Sequence, residues 1–249
     1  MDQQAAFHDA DALERLLRER SSCRAFESRD VAPATITRML QLAQCSASWS
    51  NLQPWQVIVT RGAGTERFRR ALRSHAEREG DRVDPDFVRP FSYEGVYRER
   101  RRECGWQLYD AVGVTRGDRV ASAREALRNF DLFGAPHAAI ITTPASLGVY
   151  GAVDCGLYVG TFLLAAQSLG VSAIAQAALA RWGSFVRDYF SLPDDRRVLV
   201  GISFGYPDLT HPANGYRTSR AQLDDAVQWC ARAHRASWRT ANGSTQSHR

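Results

Sequence analysis

The sequence predicts an α+β fold in which one β-sheet lies between layers of helices. Short runs rich in β-branched and aromatic residues, of which 55–59 (WQVIV) is the clearest, are typical of buried strands. Segments with apolar residues at helical spacing separate these runs. The chain of 249 residues, 44% hydrophobic and 24% charged, is long enough for one large core. Strands separated by helices in this way predict a sheet covered by helical layers.

The predicted elements follow one another along the chain. The first helix has Leu13, Leu16 and Leu17 at helical spacing, and Pro33 opens the second helix. The predicted helices are 11–20, 33–46, 65–79, 99–112, 118–130, 151–170, 183–190 and 220–235. The predicted strands are 55–60, 138–142, 172–176 and 197–204. The long irregular segment 80–98 contains prolines and aromatic residues, which predicts a lid.

The segment 151–170 (GAVDCGLYVGTFLLAAQSLG) has nearly the length and apolarity of a membrane span. It also contains Asp154, Gln167 and four glycines, and no charge bias flanks it. These features predict a fully buried central helix and no membrane association. Gly156 and Gly160 would allow close helix packing, including packing across a subunit interface.

Composition and charge argue against several classes of protein. The N-terminus lacks the pattern of a secretory signal, which predicts a cytoplasmic protein. Five scattered cysteines without a C-x-x-C pair, and six histidines without ligand spacing, predict neither a disulfide framework nor a metal site. All 32 basic residues are arginines and the net charge is +5. Acids interleave with them, and the densest run, 98–103, is too short to predict a nucleic-acid surface.

Two local patterns have competing interpretations. Residues 46–53 concentrate serine, asparagine and glutamine side chains just before Pro54, which stiffens the entry to the first strand. This loop is either a turn that caps the preceding helix or a set of hydrogen-bonding groups with a partner elsewhere. Residues 201–205 match the G-x-S-x-G pattern of hydrolases, but Pro207 follows where that motif needs a helix. Ser203 is therefore interpreted as an ordinary strand residue.

Three separated stretches together resemble the nitroreductase superfamily of FMN proteins. They are 20–26 (RSSCRAF), 48–55 (SWSNLQPW) and the pair 205–207 (GYP) and 217–220 (RTSR). Their order and spacing match the family over roughly residues 10–232. The long insert, together with 175–180 (AQAALA), is similar to the nitrobenzoate-reductase branch.

This resemblance implies one nitroreductase-like domain at 10–235. The sheet of this domain would be central, mostly antiparallel and flanked by helices. Residues 80–130 would form a lid insert of helices and loops, and residues 236–249 a disordered tail. It also implies a homodimer with FMN at the subunit interface. Charge-assisted hydrogen bonds from arginine suit the FMN phosphate, and serine or asparagine suits its hydroxyls.

The resemblance also implies roles for individual residues. The phosphate and ribityl chain would contact Arg20, Ser21, Ser22, Arg217 and Arg220, while Arg24 would face the pyrimidine edge of the ring. The loop contributed by the opposite subunit would be Ser48, Trp49, Ser50, Asn51 and Gln53. The segment near flavin N5 would be Gln176, Ala177 and Ala178, with a backbone N–H of one of the alanines approaching N5. The lid and substrate residues would be Phe91, Tyr93, Tyr97 and Trp106.

The function implied is that of an FMN-dependent, NAD(P)H-using nitroreductase acting on small electron-poor aromatic molecules. Both substrates would use one face of the flavin in turn, with ping-pong kinetics and no catalytic side chain. One alternative keeps the fold and makes the protein a flavin-dependent oxidase or dehydrogenase of a natural-product or flavin-breakdown pathway. Another alternative, a basic protein that binds nucleic acid, depends on the arginine run at 98–102.

Overall fold

The computed structural model describes residues 3–88, 90 and 92–229, which form eight α-helices and four strands. The helices are α1 (Gln3–Glu19), α2 (Pro33–Ala43), α3 (Ala63–Glu79), α4 (Gly95–Ala111), α5 (Arg119–Leu127), α6 (Gly148–Ser168), α7 (Gly183–Phe190) and α8 (Leu223–Ala226). The strands are β1 (Gln56–Thr60), β2 (His137–Pro144), β3 (Ser172–Gln176) and β4 (Arg196–Gly205). The predicted lid residue Phe91 and the predicted tail at 236–249 lie outside the described residues.

The four strands form one antiparallel sheet in the order β1-β2-β4-β3. Alternation along the central strand β2 sends successive side chains to opposite faces. Ala139 and Ile141 pack into a core that includes residues of α2 and α6. Ala138 and Ile140 pack into a second core with residues of α3 and α7. The predicted α+β class, with an antiparallel sheet between helical layers, is confirmed.

Most predicted elements are present with small shifts at their ends, but α1 begins at Gln3, eight residues before its predicted start. The predictions for β3 and α7 coincide with the observed elements, and β2 extends beyond its predicted range at both ends. Because α4 begins at Gly95, the irregular segment after α3 ends at residue 94 and not at 98.

The predicted helix over 220–235 is wrong within the described residues. Only Leu223–Ala226 is helical, and Val227 is extended. Leu223 and Trp229 are 62% and 80% exposed, so the apolar side chains of this segment pack on no core among the described residues. A helix this short is marginal without tertiary packing.

The prediction that α6 is fully buried is also wrong for a single chain. Asp154, Tyr158 and Phe162 face the core, but the opposite face exposes Val149, Tyr150, Val153 and Leu157 by about half or more. By length and composition, Ala145–Ser168 could cross a membrane, with 39% of its most apolar window buried. The sheet and α2 contact one side of α6 only, because an antiparallel layer packs against a single helical stripe.

Candidate cofactor site

A cavity of about 680 Å³ lies between the end of α1, the segment after it, α4 and the segment after β4. Six of the predicted site residues line it: Arg20, Ser21, Ser22, Arg24, Arg217 and Arg220. Cys104 of α4 and Tyr216 complete the part of the wall nearest the insert. The structure thus brings together residues nearly two hundred positions apart in the sequence.

The N-terminal wall of the cavity is fixed to the edge of the sheet. Ser22 forms an isolated parallel bridge with Ala173 of β3, and the Cys23 N–H donates to the Ala173 carbonyl at 3.4 Å. The Cys23 side chain is buried, and burial raises the pKa of its thiol to about 11. Because residues 20–24 are held against β3 in this way, the side chains of Arg20, Ser21 and Arg24 reach the cavity.

Asn214 connects the two walls of the cavity, a role that the sequence did not reveal. Its Oδ1 accepts a hydrogen bond from the Arg24 N–H at 2.8 Å. Its Nδ2 donates to the carbonyls of Ala25 and Asp208, both at 2.8 Å. One asparagine thereby fixes the segment 24–25 relative to the segment 208–217, which carries Arg217.

Five arginines line the cavity, and only Arg18 has a carboxylate partner among the described residues, Glu14. Among those residues, Arg20, Arg24, Arg217 and Arg220 form no ion pair. Burial, and secondly the charge of Arg220, lower the pKa of Arg20. An anion bound here would relieve this repulsion, because opposite charge favours the protonated guanidinium. Arginine side chains are suited to a phosphate through paired, charge-assisted hydrogen bonds, so these residues fit the phosphate of FMN.

The polar loop before β1 does not line this cavity within the same chain. Its residues 49–51 form a single turn of 3-10 helix in which Ser50 and Asn51 have positive φ angles, as Gln53 also has just beyond it. The Trp49 N–H donates to Oδ1 of the buried Asp154 at 3.0 Å, and the Trp49 ring lies 4.6 Å from that of Tyr150. The loop therefore lies on α6, beside the exposed apolar face of that helix.

Part of the loop's hydrogen-bonding capacity is used within it. The Gln53 N–H donates to Oγ of Ser48 at 2.9 Å, and Nε2 of Gln53 donates to Oδ1 of Asn51 at 2.9 Å. The capping interpretation accounts for one further contact, from Ser46 Oγ to the Ala43 carbonyl at the end of α2. The Trp49 and Ser50 side chains stay exposed on the surface of the chain.

The predicted N5 segment lies at the end of β3. The Gln176 side chain is buried and bonded within the protein: its Oε1 accepts from Ser203, and its Nε2 donates to the Asn129 carbonyl at 3.1 Å. Ser203 is accordingly a buried strand residue that supports Gln176, as its interpretation from the sequence requires. Ala177 is exposed and Ala178 half-buried at the start of a 3-10 turn, so this segment lies at the surface of the chain.

The predicted lid residues lie in two places. Tyr93 and Tyr97 line an open cavity of about 550 Å³ together with Arg100. A smaller cavity, about 340 Å³, shares Arg100 with this one and Cys104 and Arg220 with the arginine-lined cavity. Trp106 lines none of these three cavities; its ring lies 5.8 Å from that of Tyr109 and 4.7 Å from the guanidinium carbon of Arg116.

The start of the insert is anchored to α7. The carboxylate of Asp84 accepts from the backbone and side chain of Ser184, and the Asp86 carboxylate pairs with Arg187 and accepts from the Val198 N–H. Within the described ranges, no group of three His, Cys, Asp or Glu residues could hold a metal ion.

The fold and this cavity define a class: α+β proteins with an arginine-lined cavity between the edge of an antiparallel sheet and a helical insert. The nitroreductase family model matches residues 17–206. The chain belongs to the nitroreductase family.

Named relatives extend this comparison. Nitroreductase NfnB of Mycolicibacterium smegmatis is 36% identical over 222 residues, which cover 88% of this chain and 93% of the relative. A 4-nitrobenzoate reductase of a Nocardioides species is 34% identical over 225 residues, with 87% and 89% covered. The crystal structure of the FMN-dependent NfnB from Mycobacterium smegmatis, in complex with NADPH, superposes with a TM-score of 0.83 at 35% identity. That superposition covers 88% of this chain and 98% of the other.

Proposed function

We propose that the protein is an FMN-dependent enzyme that uses NAD(P)H to reduce nitroaromatic or similar electron-poor aromatic compounds. The observation that carries the proposal is the arginine-lined cavity, in which four of the five arginines have no carboxylate partner among the described residues. Two relatives at 36% and 34% identity are a nitroreductase and a 4-nitrobenzoate reductase, which supports a nitroaromatic acceptor.

The chain's own residues would bind and orient the cofactor. Bound FMN would supply the hydride chemistry between the nicotinamide and the aromatic acceptor. Arg20, Arg217 and Arg220 would surround its phosphate, and the hydroxyls of Ser21 and Ser22 would meet its ribityl chain. The Arg24 guanidinium would face the pyrimidine edge, where a fixed cation stabilises the negative charge that reduction adds.

The first test is the purified protein itself. It should be yellow, and the flavin released by denaturation should be FMN in a ratio of about one per chain. With NADPH present it should reduce 4-nitrobenzoate. Colourless protein that takes up no FMN on reconstitution would contradict the proposal.

Both substrates would use the same face of the flavin in turn. The insert bounds the cavity on one side, with Cys104 in the wall, and the nicotinamide and then the acceptor would reach the flavin in turn. Alternation at one site gives parallel lines in double-reciprocal plots at several fixed NADPH concentrations. Intersecting lines would indicate two simultaneous sites.

We propose further that the enzyme is a homodimer in which the loop Ser48–Gln53 of one subunit reaches the cofactor of the other. The loop lies outside the arginine-lined cavity of its own chain, and Asp154 fixes it beside the exposed face of α6. Val149, Tyr150, Val153 and Leu157 on that face form an apolar surface that a second subunit would cover.

Subunit complementation tests this arrangement. Arg20→Ala and Asn51→Trp would each inactivate a homodimer, but a mixed dimer would have one site with both lesions and one with neither. Exchanging the two inactive proteins should restore up to about half the wild-type activity per mixed dimer. Verified exchange without recovered activity would place Asn51 and Arg20 in the same subunit's site.

The alternative of a flavin-dependent oxidase gives a different result under anaerobic conditions. A reductase should lose its visible flavin absorbance when mixed with NADPH, whereas such an oxidase would keep it. Use of NAD(P)H also leads us to place the enzyme in the cytoplasm, and recovery of the activity in a membrane or periplasmic fraction would contradict that location.

A further inference from the structure

The C-terminal end of α5 contacts both predicted walls of the flavin site through two consecutive residues. Nη2 of Arg128 donates to the Arg24 carbonyl at 2.8 Å. The carbonyl and Oδ1 of Asn129 accept from Nε2 of Gln176 at 3.1 and 3.2 Å. Neither residue lines the arginine-lined cavity. Both therefore influence the site through other residues.

Arg128 is itself held rigidly. Its guanidinium lies 3.4 Å from the carboxylate of Glu125, one turn earlier on α5, and 5.8 Å from the centre of the Phe133 ring. The Glu125 side chain is 10% exposed and that of Arg128 25% exposed. A partly buried ion pair with a planar group against a ring restricts the direction of the remaining guanidinium N–H bonds. One of those bonds is the one to Arg24.

The backbone of Arg24 is consequently fixed on both sides. Its N–H donates to Asn214, and its carbonyl accepts from Arg128. The Arg24 side chain extends from this fixed backbone into the cavity, where its guanidinium carbon lies 5.8 Å from the centre of the Tyr216 ring. The direction in which Arg24 enters the cavity thus depends on Arg128.

We propose that Arg128 is a positioning residue for FMN binding and acts through Arg24. The proposal rests on the proposed function, in which Arg24 faces the flavin. Residues 128 and 129 would then connect the end of α5 to the cofactor. Arg128 contacts Arg24, and Asn129 contacts Gln176 at the start of the predicted N5 segment.

A double-mutant cycle tests the link. FMN dissociation constants are measured for the wild type, Arg24→Ala, Arg128→Met and the double variant. Each single change should weaken binding by about tenfold, the effect of one charge-assisted contact. If Arg128 acts through Arg24, the double variant should bind within about twofold of Arg24→Ala, because the two losses are not additive. A double variant weaker by about a hundredfold would overturn the proposal.

Two further variants separate positioning from general stability and charge. Arg128→Met leaves the carboxylate of Glu125 buried without its cation, which lowers the stability of the protein. Adding Glu125→Gln removes the negative charge of Glu125 and should raise the unfolding temperature again. FMN affinity should stay low in this second protein, which also replaces Arg128→Met in the cycle if the latter does not fold. Recovery of affinity together with stability would overturn the proposal.

Arg124→Met is the matched control, because it removes an exposed arginine from the same helix without touching the site. It should bind FMN like the wild type, and a tenfold loss here would overturn the proposal in favour of a general charge effect. Wild-type protein that binds no FMN would contradict the proposed function itself. Wild-type protein that binds FMN, together with an unaffected Arg24→Ala variant, would overturn the roles of Arg24 and Arg128 but not the proposed function.

Discussion

Replacing Arg20 by alanine tests the electrostatics of the cavity most sharply. Arg20 is half-buried, lines the cavity beside Arg220 and forms no ion pair among the described residues. Burial and the neighbouring arginine lower its pKa, so its charge costs free energy until an anion arrives. Arg20→Ala should therefore weaken FMN binding without lowering the stability of the cofactor-free protein.

The expected loss of FMN affinity follows from two opposing contributions, the attraction between charges and the cost of removing them from water. A unit charge about 4 Å from another gains on the order of 4 kcal/mol at the effective dielectric constant of about 20 that applies near a protein surface. Desolvation of the guanidinium and of the phosphate offsets part of this gain. Charge-assisted contacts consequently contribute about 1.5–3 kcal/mol, which corresponds to a roughly 10- to 150-fold increase in the FMN dissociation constant.

Fluorescence titration of the cofactor-free protein with FMN measures this constant, and calorimetry gives the unfolding temperature of the same sample. Arg15→Ala is the control, since it removes the same charge at an exposed position, paired with Glu19, on the helix that ends just before Arg20. It should change the dissociation constant by less than about twofold, because surface pairs contribute little. An unchanged constant for Arg20→Ala would refute the assignment of the phosphate to this cavity.

Three further outcomes are expected. Leu157→Arg should convert the dimer into monomers, which light scattering after gel filtration detects by their mass, and should reduce the FMN content read from the absorbance. An intact dimer would refute the α6 interface. Burial lowers the pKa of His137 below the ordinary value of about 6.5. As the pH falls, the unfolded chain therefore binds a proton that the folded chain does not. The free energy of unfolding should consequently fall as the pH drops from about 7 to about 5. His137→Gln should flatten that slope in urea titrations, and an identical slope would contradict it. Gly201→Ala would place a Cβ 2.3 Å from Leu179, and should cost about 1–3 kcal/mol of unfolding free energy; a wild-type urea midpoint would show that the turn at 177–180 moves freely.

The sequence was sufficient to predict the sheet and most helices, because their apolar periodicity reflects burial directly. It failed for α6 and for the helix predicted over 220–235 for a shared reason. Periodicity shows which side chains avoid water but not which surface covers them. Half of α6 and the segment around Leu223 are left uncovered by the part of the chain that the structure describes.

The cavity residues could be predicted because they lie in short ordered motifs with distinctive chemistry. The residues that position them could not, since each acts through one long-range contact. Asp154 holds a residue 105 positions away, Arg128 one 104 positions away and Asn214 one 190 positions away. A lone aspartate, arginine or asparagine has no local pattern that distinguishes such a role from ordinary solvation.

Anaerobic titration of the FMN-loaded enzyme tests the central claim most directly. Stepwise addition of NADPH should remove the visible flavin absorbance at one equivalent per FMN, and 4-nitrobenzoate added after NADPH is exhausted should restore it. That result would establish that one flavin accepts hydride from the nicotinamide and passes it to a nitroaromatic. A flavin that NADPH leaves oxidised, or that stays reduced when the nitroaromatic is added, would contradict the account.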